Sequence, residues 1–163
     1  MNLIELLMAE HASLRVYFRH LRYLNSDFLF ELDDFVVNCH AKIEDEVIFP
    51  EMRKAAGTEN KNIETITRRM EEEHKVIQML GNSIRIAVAE GSKDIDRGKI
   101  MLYADTLESH NSSEETLLFP TWRLDSEQEA EAVSKAVQII RDFGLERYLR
   151  VTGLSQEFLS LLR

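Results

Sequence analysis

Four of the five histidines in the 163 residues, His11, His40, His74 and His110, are the side chains best placed for chemistry. Two of them carry a carboxylate four residues on, as His40-Ala-Lys-Ile-Glu44 and His110-Asn-Ser-Ser-Glu114. On a helix that spacing sets His and Glu one turn apart on one face. Each histidine also falls on the apolar stripe of its own segment. The stripes are Ile4, Leu7, Met8, His11, Leu14, Phe18, Leu21; Leu29, Leu32, Val36, His40, Ile43, Val47; Ile63, Ile66, Met70, His74, Ile77, Ile84; and Ile100, Tyr103, Leu107, His110, Leu117. A carboxylate on such a stripe faces a core, where it is costly unless a cation receives it. Four neutral imidazoles and two carboxylates around a pair of divalent ions, with a bridging oxide or hydroxide, bring the buried charge close to balance. The six candidate ligands are therefore His11, His40, Glu44, His74, His110 and Glu114. Imidazole with carboxylate suits iron, manganese or zinc.

The two ligand segments match beyond the ligands. Both read His-x3-Glu-x4-Phe-Pro, ending in Phe49-Pro50 and Phe119-Pro120, and these are the only two prolines in the chain. Glu10-His11 and Glu73-His74 each precede one such segment, so the chain reads as an internal duplication, each half supplying one His and one His-x-x-x-Glu. A single His-x-x-x-Glu carries little weight. With twenty glutamates present, a given histidine has about a one-in-eight chance of Glu at that position, and the pair could be a surface contact. Two on apolar stripes, both with Phe-Pro downstream, are hard to assign to coincidence. The bland readings take the remaining residues: His20 as surface or supporting, Cys39 as packing, Met70, Met79, Phe28 and Phe35 as core. The acid run Glu71-Glu-Glu73 reads as a solvated face from which Glu71 could reach the metal layer. One Glu-x-x-His is present, in that run, where a ferritin-like site needs two.

These residues need helices to hold them. The periodicity predicts a first helix over about 3–24, a second over 28–56 stopped by Gly57, a third from after Thr58 to near Glu90, and a fourth over 94–119 interrupted by Pro120. Gly91 and Ser92 read as the cap residues between the last two. Strand alternation and hairpin signals are nearly absent. Connections of two or three residues make successive helices antiparallel neighbours. The expected fold is all-α: an antiparallel up-down-up-down four-helix bundle over 1–120 with a C-terminal helical appendage over 121–163. All four histidines fall near mid-height of their helices, so one layer can hold them. In the appendage, Ser126-Glu-Gln-Glu129 reads as a capping box before a stripe of Val133, Val137 and Ile140 that ends at Gly144. A shorter segment over 145–151 and a last one over 155–162 follow.

Composition narrows the class. With 44% apolar and 30% charged residues the chain reads as an ordinary globular protein. Its 29 acidic against 20 basic residues, a net charge of −9, argue against nucleic acid and anionic lipid as partners. The longest apolar run, Ile100 to Ala104, falls far short of the roughly 20 residues that span a bilayer. One cysteine excludes an internal disulfide framework, and the acidic opening residues are unlike a secretory leader, so the expected location is cytoplasmic.

The order His, His-x-x-x-Glu, His, His-x-x-x-Glu, with Phe-Pro after each pair, resembles the hemerythrin-like HHE cation-binding domains over about residues 1–120. That resemblance implies a non-haem di-iron centre with the six residues above as ligands and Glu44 and Glu114 bridging. Classical hemerythrin carries a His-x-x-x-His pair on its third helix and an aspartate after its last ligand histidine. This chain has Gln78 four residues after His74, and Glu114 in the acidic position. Its ligand set is thus closer to the iron-centre-repair type. Loss of one histidine to Gln78 would open the second iron to an exogenous molecule. The expected function is a di-iron protein that binds or senses O2 or NO. The alternative is an enzyme acting on NO or peroxide, or a donor of iron for iron–sulfur cluster repair. A protein partner or a homodimer through the C-terminal helices completes the expectations.

Overall fold

The computed structural model describes residues 1–20, 26–57, 61–90 and 97–162. Among them every regular element is helical. Helix α1 (Leu3–Arg19) begins at Asn2, whose side chain accepts from the Glu5 amide at 2.8 Å while Glu5 accepts from the Asn2 amide at 2.9 Å. This reciprocal cap satisfies two amides the first turn leaves open. Leu3, Leu6, Leu7 and Leu14 on its inner stripe are buried, each contributing about 1.5–3 kcal/mol of apolar burial. Met8 is not part of that stripe: it is exposed, and Leu6 takes the inner position. Leu21 lies outside the described residues.

The second run is already helical at Ser26, two residues ahead of the start the periodicity predicts, and widens twice along its length. Helix α2 (Ser26–Phe35) passes into a π-helical segment, Val36–His40, then the short α3 (Ala41–Ile43), a second π segment, Glu44–Ile48, and α4 (Phe49–Ala56). Gly57 ends it at φ +68°. Helix α5 (Lys61–Ala89) is uninterrupted, and the expected caps at Gly91 and Ser92 lie outside the described residues. Helix α6 (Arg97–Ser113) gives way at Glu114 to a third π segment, Glu114–Leu118, and then to one 3-10 turn, Phe119–Thr121. The wider winding shifts the register, so Leu118 is buried while Leu117, expected on the stripe, is exposed. Both prolines sit one turn beyond a residue of a π segment, Pro50 after Glu46 and Pro120 after Thr116. Proline lacks the amide for an i→i−4 bond and crowds that carbonyl, which a wider turn relieves.

Three further helices follow. Helix α7 (Ser126–Phe143) is capped by Asp125 with Gln128, not by Ser126 with Glu129. Glu129 instead accepts from the Leu3 amide and the Trp122 indole, tying α7 to the start of α1. Helix α8 (Leu145–Thr152) ends at Gly153, whose φ of +67° is left-handed, and α9 (Gln156–Leu159) is capped by Ser155. Helix α5 packs on α6, α4 and α2; α7 lies against α1 and both π segments of the second run; α8 lies against α1 and α2. Met70 and Phe35 are in the core as expected, Phe28 is half-buried, and Met79 is exposed. No helix among the described residues is long and apolar enough to cross a membrane.

One close approach has a measurable consequence. Where α5 passes α2, Gly81 faces the carboxylate of buried Asp33, which Arg85 holds through a 2.9 Å bond. A Cβ there would overlap that carboxylate. Gly81→Ala should therefore destabilise the fold by about 1–3 kcal/mol despite alanine's better helix propensity. Urea denaturation checks this, and an unchanged or higher midpoint would contradict it.

Candidate metal centre

The six side chains singled out by spacing come together in one buried layer. His11, His40, Glu44 and Glu114 form one group of metal-competent atoms, and Glu44, His74, His110 and Glu114 a second, each with all donor atoms within 4.8 Å of one another. The two carboxylates belong to both groups. Glu44 places Oε1 at 3.5 Å from His40 Nε2 and 3.8 Å from His11 Nε2, and its Oε2 at 3.3 Å from His74 Nε2. Glu114 places Oε2 at 3.6 Å from His11 Nε2 and Oε1 at 3.3 Å from His110 Nε2. Within each pair the Nε2 atoms approach closely, at 3.1 Å for His11 and His40 and 2.8 Å for His74 and His110.

The carboxylates are fully buried, and none of their four oxygens has a hydrogen-bond partner. Buried oxygens of this kind are costly unless a cation, a proton or a hydrogen-bond donor meets them. Imidazole nitrogens and carboxylate oxygens gathered in this way are a donor set that fits divalent metal, with both glutamates belonging to both groups.

Winding accounts for how one helix presents both His and Glu. His40 closes the first π segment and Glu44 opens the second, while Glu114 opens the third. Such bulges re-aim side chains that a regular α-helix would send elsewhere, and they recur at functional sites.

Each of these four histidines turns its other nitrogen outward to an acid. Nδ1–H of His11 donates to Glu115 at 2.9 Å, that of His40 to Glu10 at 2.6 Å, that of His74 to Asp45 at 2.8 Å and that of His110 to Glu73 at 3.0 Å. A carboxylate can only accept, so the proton is fixed on Nδ1 and Nε2 is left to face the centre. Histidine-to-glutamate spacing does not mark these four acids, and Glu73, expected on a solvated face, turns to His110 instead. They carried a signal nonetheless: each adjoins a candidate ligand in sequence, as Glu10-His11, Glu44-Asp45, Glu73-His74 and Glu114-Glu115. A neighbour on a helix points about 100° away, which aims it at the histidine of the next helix.

The Phe-Pro phenylalanines pack on the lone histidines. Phe119 stacks on His11, with ring centroids 5.5 Å apart, and Phe49 on His74 at 5.8 Å. Tyr148 of α8 donates to the second oxygen of Glu10 at 2.5 Å.

Other candidates fall elsewhere. Glu71 pairs with Arg53 at 2.7 Å and does not enter the metal layer. Gln78 is exposed and belongs to neither group. Cys39 is buried, which pushes its thiol far up, and His20 caps the end of α1 at the surface.

The electrostatics follow from the buried acids. Burial alone would lower the histidines, but Glu115, Glu44 and Glu114 raise His11 to about 9, and Asp45 with Glu44 raises His74 to about 10. His110 is raised as well. Burial and the charge of Glu44 raise Glu114, whereas for Glu44 the surrounding imidazoles overcome burial and lower it. Without metal, protons on the imidazoles supply the positive charge the carboxylates need. A histidine raised above its ordinary 6.5 stabilises the fold most below that value and loses the contribution as pH climbs through its folded value. Chelator-treated protein should therefore melt at progressively lower temperature between pH 6.5 and about 10. Circular dichroism melts would contradict this by a flat or rising profile.

The family model of the hemerythrin HHE cation binding domain matches residues 2–122. Neither the curated proteins nor the solved structures yield a match to the chain.

Proposed function

The chain belongs to the hemerythrin HHE cation-binding family, and from that premise we propose that its buried pocket holds two iron ions and binds or senses O2 or NO. The observation that carries the reading is the set of four unpartnered carboxylate oxygens facing four inward Nε2 atoms. Ligands are taken as His11 and His40 on one ion, His74 and His110 on the other, with Glu44 and Glu114 shared. Ferrous iron in such a pocket supplies an electron-rich position for a diatomic ligand.

The rest falls to the chain's own residues. The acids behind the histidines hold the rings in place. Phe49 and Phe119 cover His74 and His11 with apolar surface that excludes water. His74, the most exposed of the four at 8%, borders a surface groove of about 460 Å³ whose lining includes Val36, Asn38, Ala41, Ile77 and Gln78. We assign this groove as the route by which a small ligand reaches the His74 side. With Gln78 turned to solvent, that side lacks the additional imidazole of classical hemerythrin and stays open. This asymmetry favours sensing or reaction with NO or peroxide over reversible oxygen storage. We read residues 1–120 as an up-down-up-down bundle enclosing the centre and 121–163 as helices packed on it.

Elemental analysis of the purified protein should give close to two irons per chain, and Mössbauer spectra of the reduced protein should change on adding O2 or NO. One metal or none per chain, or spectra indifferent to both gases, would defeat the reading. Glu114→Gln should weaken metal binding by about a hundredfold or more. Because burial already raises Glu114 toward its neutral form, the metal-free variant should melt no lower than the parent. A variant that keeps normal metal affinity would remove Glu114 from the ligand set.

A further inference from the structure

Of the four acids behind the histidines, Glu10 stands apart. Glu73 and Glu115 are only partly buried, and each also accepts from an arginine at 2.7 Å, Arg69 and Arg15 respectively. Asp45 reaches solvent. Glu10 is fully buried, and no lysine or arginine pairs with it among the described residues. Its second oxygen accepts from the phenol of Tyr148, itself without solvent exposure. Tyr148 belongs to α8, outside the residues matched to the family.

A carboxylate rotates easily about its last torsion, so one hydrogen bond does not fix its plane. A second bond from the opposite side does. The phenol is itself immobilised: Phe35 packs against Tyr148 at 5.8 Å and against His40 at 5.9 Å, and Ser13 of α1 donates to the Thr152 carbonyl of α8 at 2.6 Å. The mirror position has no such support, since Glu73 is backed by a largely exposed arginine.

We propose that Tyr148 is a positioning residue of the metal centre, holding Glu10 and through it His40, so that the C-terminal helices govern the metal position served by His11 and His40 and make it unlike its partner position. The inference rests on the dinuclear reading above. Its test is a titration of metal-free protein with Co(II), whose visible bands report the coordination of each ion. The parent should take up two equivalents; failure to do so overturns the dinuclear reading itself. In Tyr148→Phe one equivalent should bind about tenfold more weakly with altered bands, while the other keeps its affinity and spectrum. Two unaltered equivalents, or equal weakening of both, would overturn the positioning role. Should Tyr148→Phe not fold, the parent chain labelled with 3-fluorotyrosine and titrated with Zn(II) keeps the question answerable. The Tyr148 fluorine resonance, assigned by elimination with Phe variants of the other tyrosines, should shift with one equivalent only. A resonance indifferent to metal, or moving equally with both equivalents, would refute the inference.

Discussion

Two carboxylates with no exposed surface and no hydrogen-bond donor set the terms for everything around them. Removing one ionised carboxyl from water costs several kcal/mol after relaxation, and placing two side by side adds their repulsion. No lysine or arginine enters the centre among the described residues, so relief must come from protons within it or from bound cations. Protons on His11 and His74 are the internal solution. Bound metal would be the external one, since it could take up carboxylate oxygens and leave the histidines neutral. Folding and metal binding would thereby be coupled through the same charges.

That requirement explains where the backbone departs from regularity. The three π segments begin or end at His40, Glu44 and Glu114, and they fall in the only two stretches that carry both a ligand pair and a proline. The α5 helix contributes a lone histidine and runs regularly through its whole length. A His-x-x-x-Glu pair asks more of a helix than a lone histidine does: two polar side chains must reach one buried point from successive turns. Widening the helix there supplies the aim, and the missing amides of Pro50 and Pro120 remove the bonds that would oppose it.

Much of this was legible because helical periodicity is a strong signal and the candidate ligand residues lie on it. His11, His40, His74, His110, Glu44 and Glu114 are all buried where their stripes place them. Sequence spacing fails where the winding changes: Leu117 falls on a stripe drawn at 3.6 residues per turn but lies beyond the start of a π segment. Met8 and Met79 mislead for another reason, since methionine is apolar enough to read as core yet tolerates the surface. The supporting acids carry no such signal, because a carboxylate off the apolar stripe looks solvated from its own helix alone. Whether Glu73 meets water or His110 depends on the neighbouring helix, which no single-helix pattern contains. Tyr148 lies 138 positions from Glu10, and only the folded chain brings them together.

The duplicated motif also shows how tightly the halves depend on each other. Glu10 serves His40 and Glu73 serves His110, each within its own half. Asp45 and Phe49, however, serve His74, while Glu115 and Phe119 serve His11, each across to the other half. Neither half could therefore orient all its own histidines, and each shared glutamate would face an incomplete partner set. The twofold pattern in the sequence makes the two side-chain groups alike, and the exchange binds them into one buried cluster. Among the described residues, the groups in contact with the supporting acids come from within the repeat except one, the phenol of Tyr148.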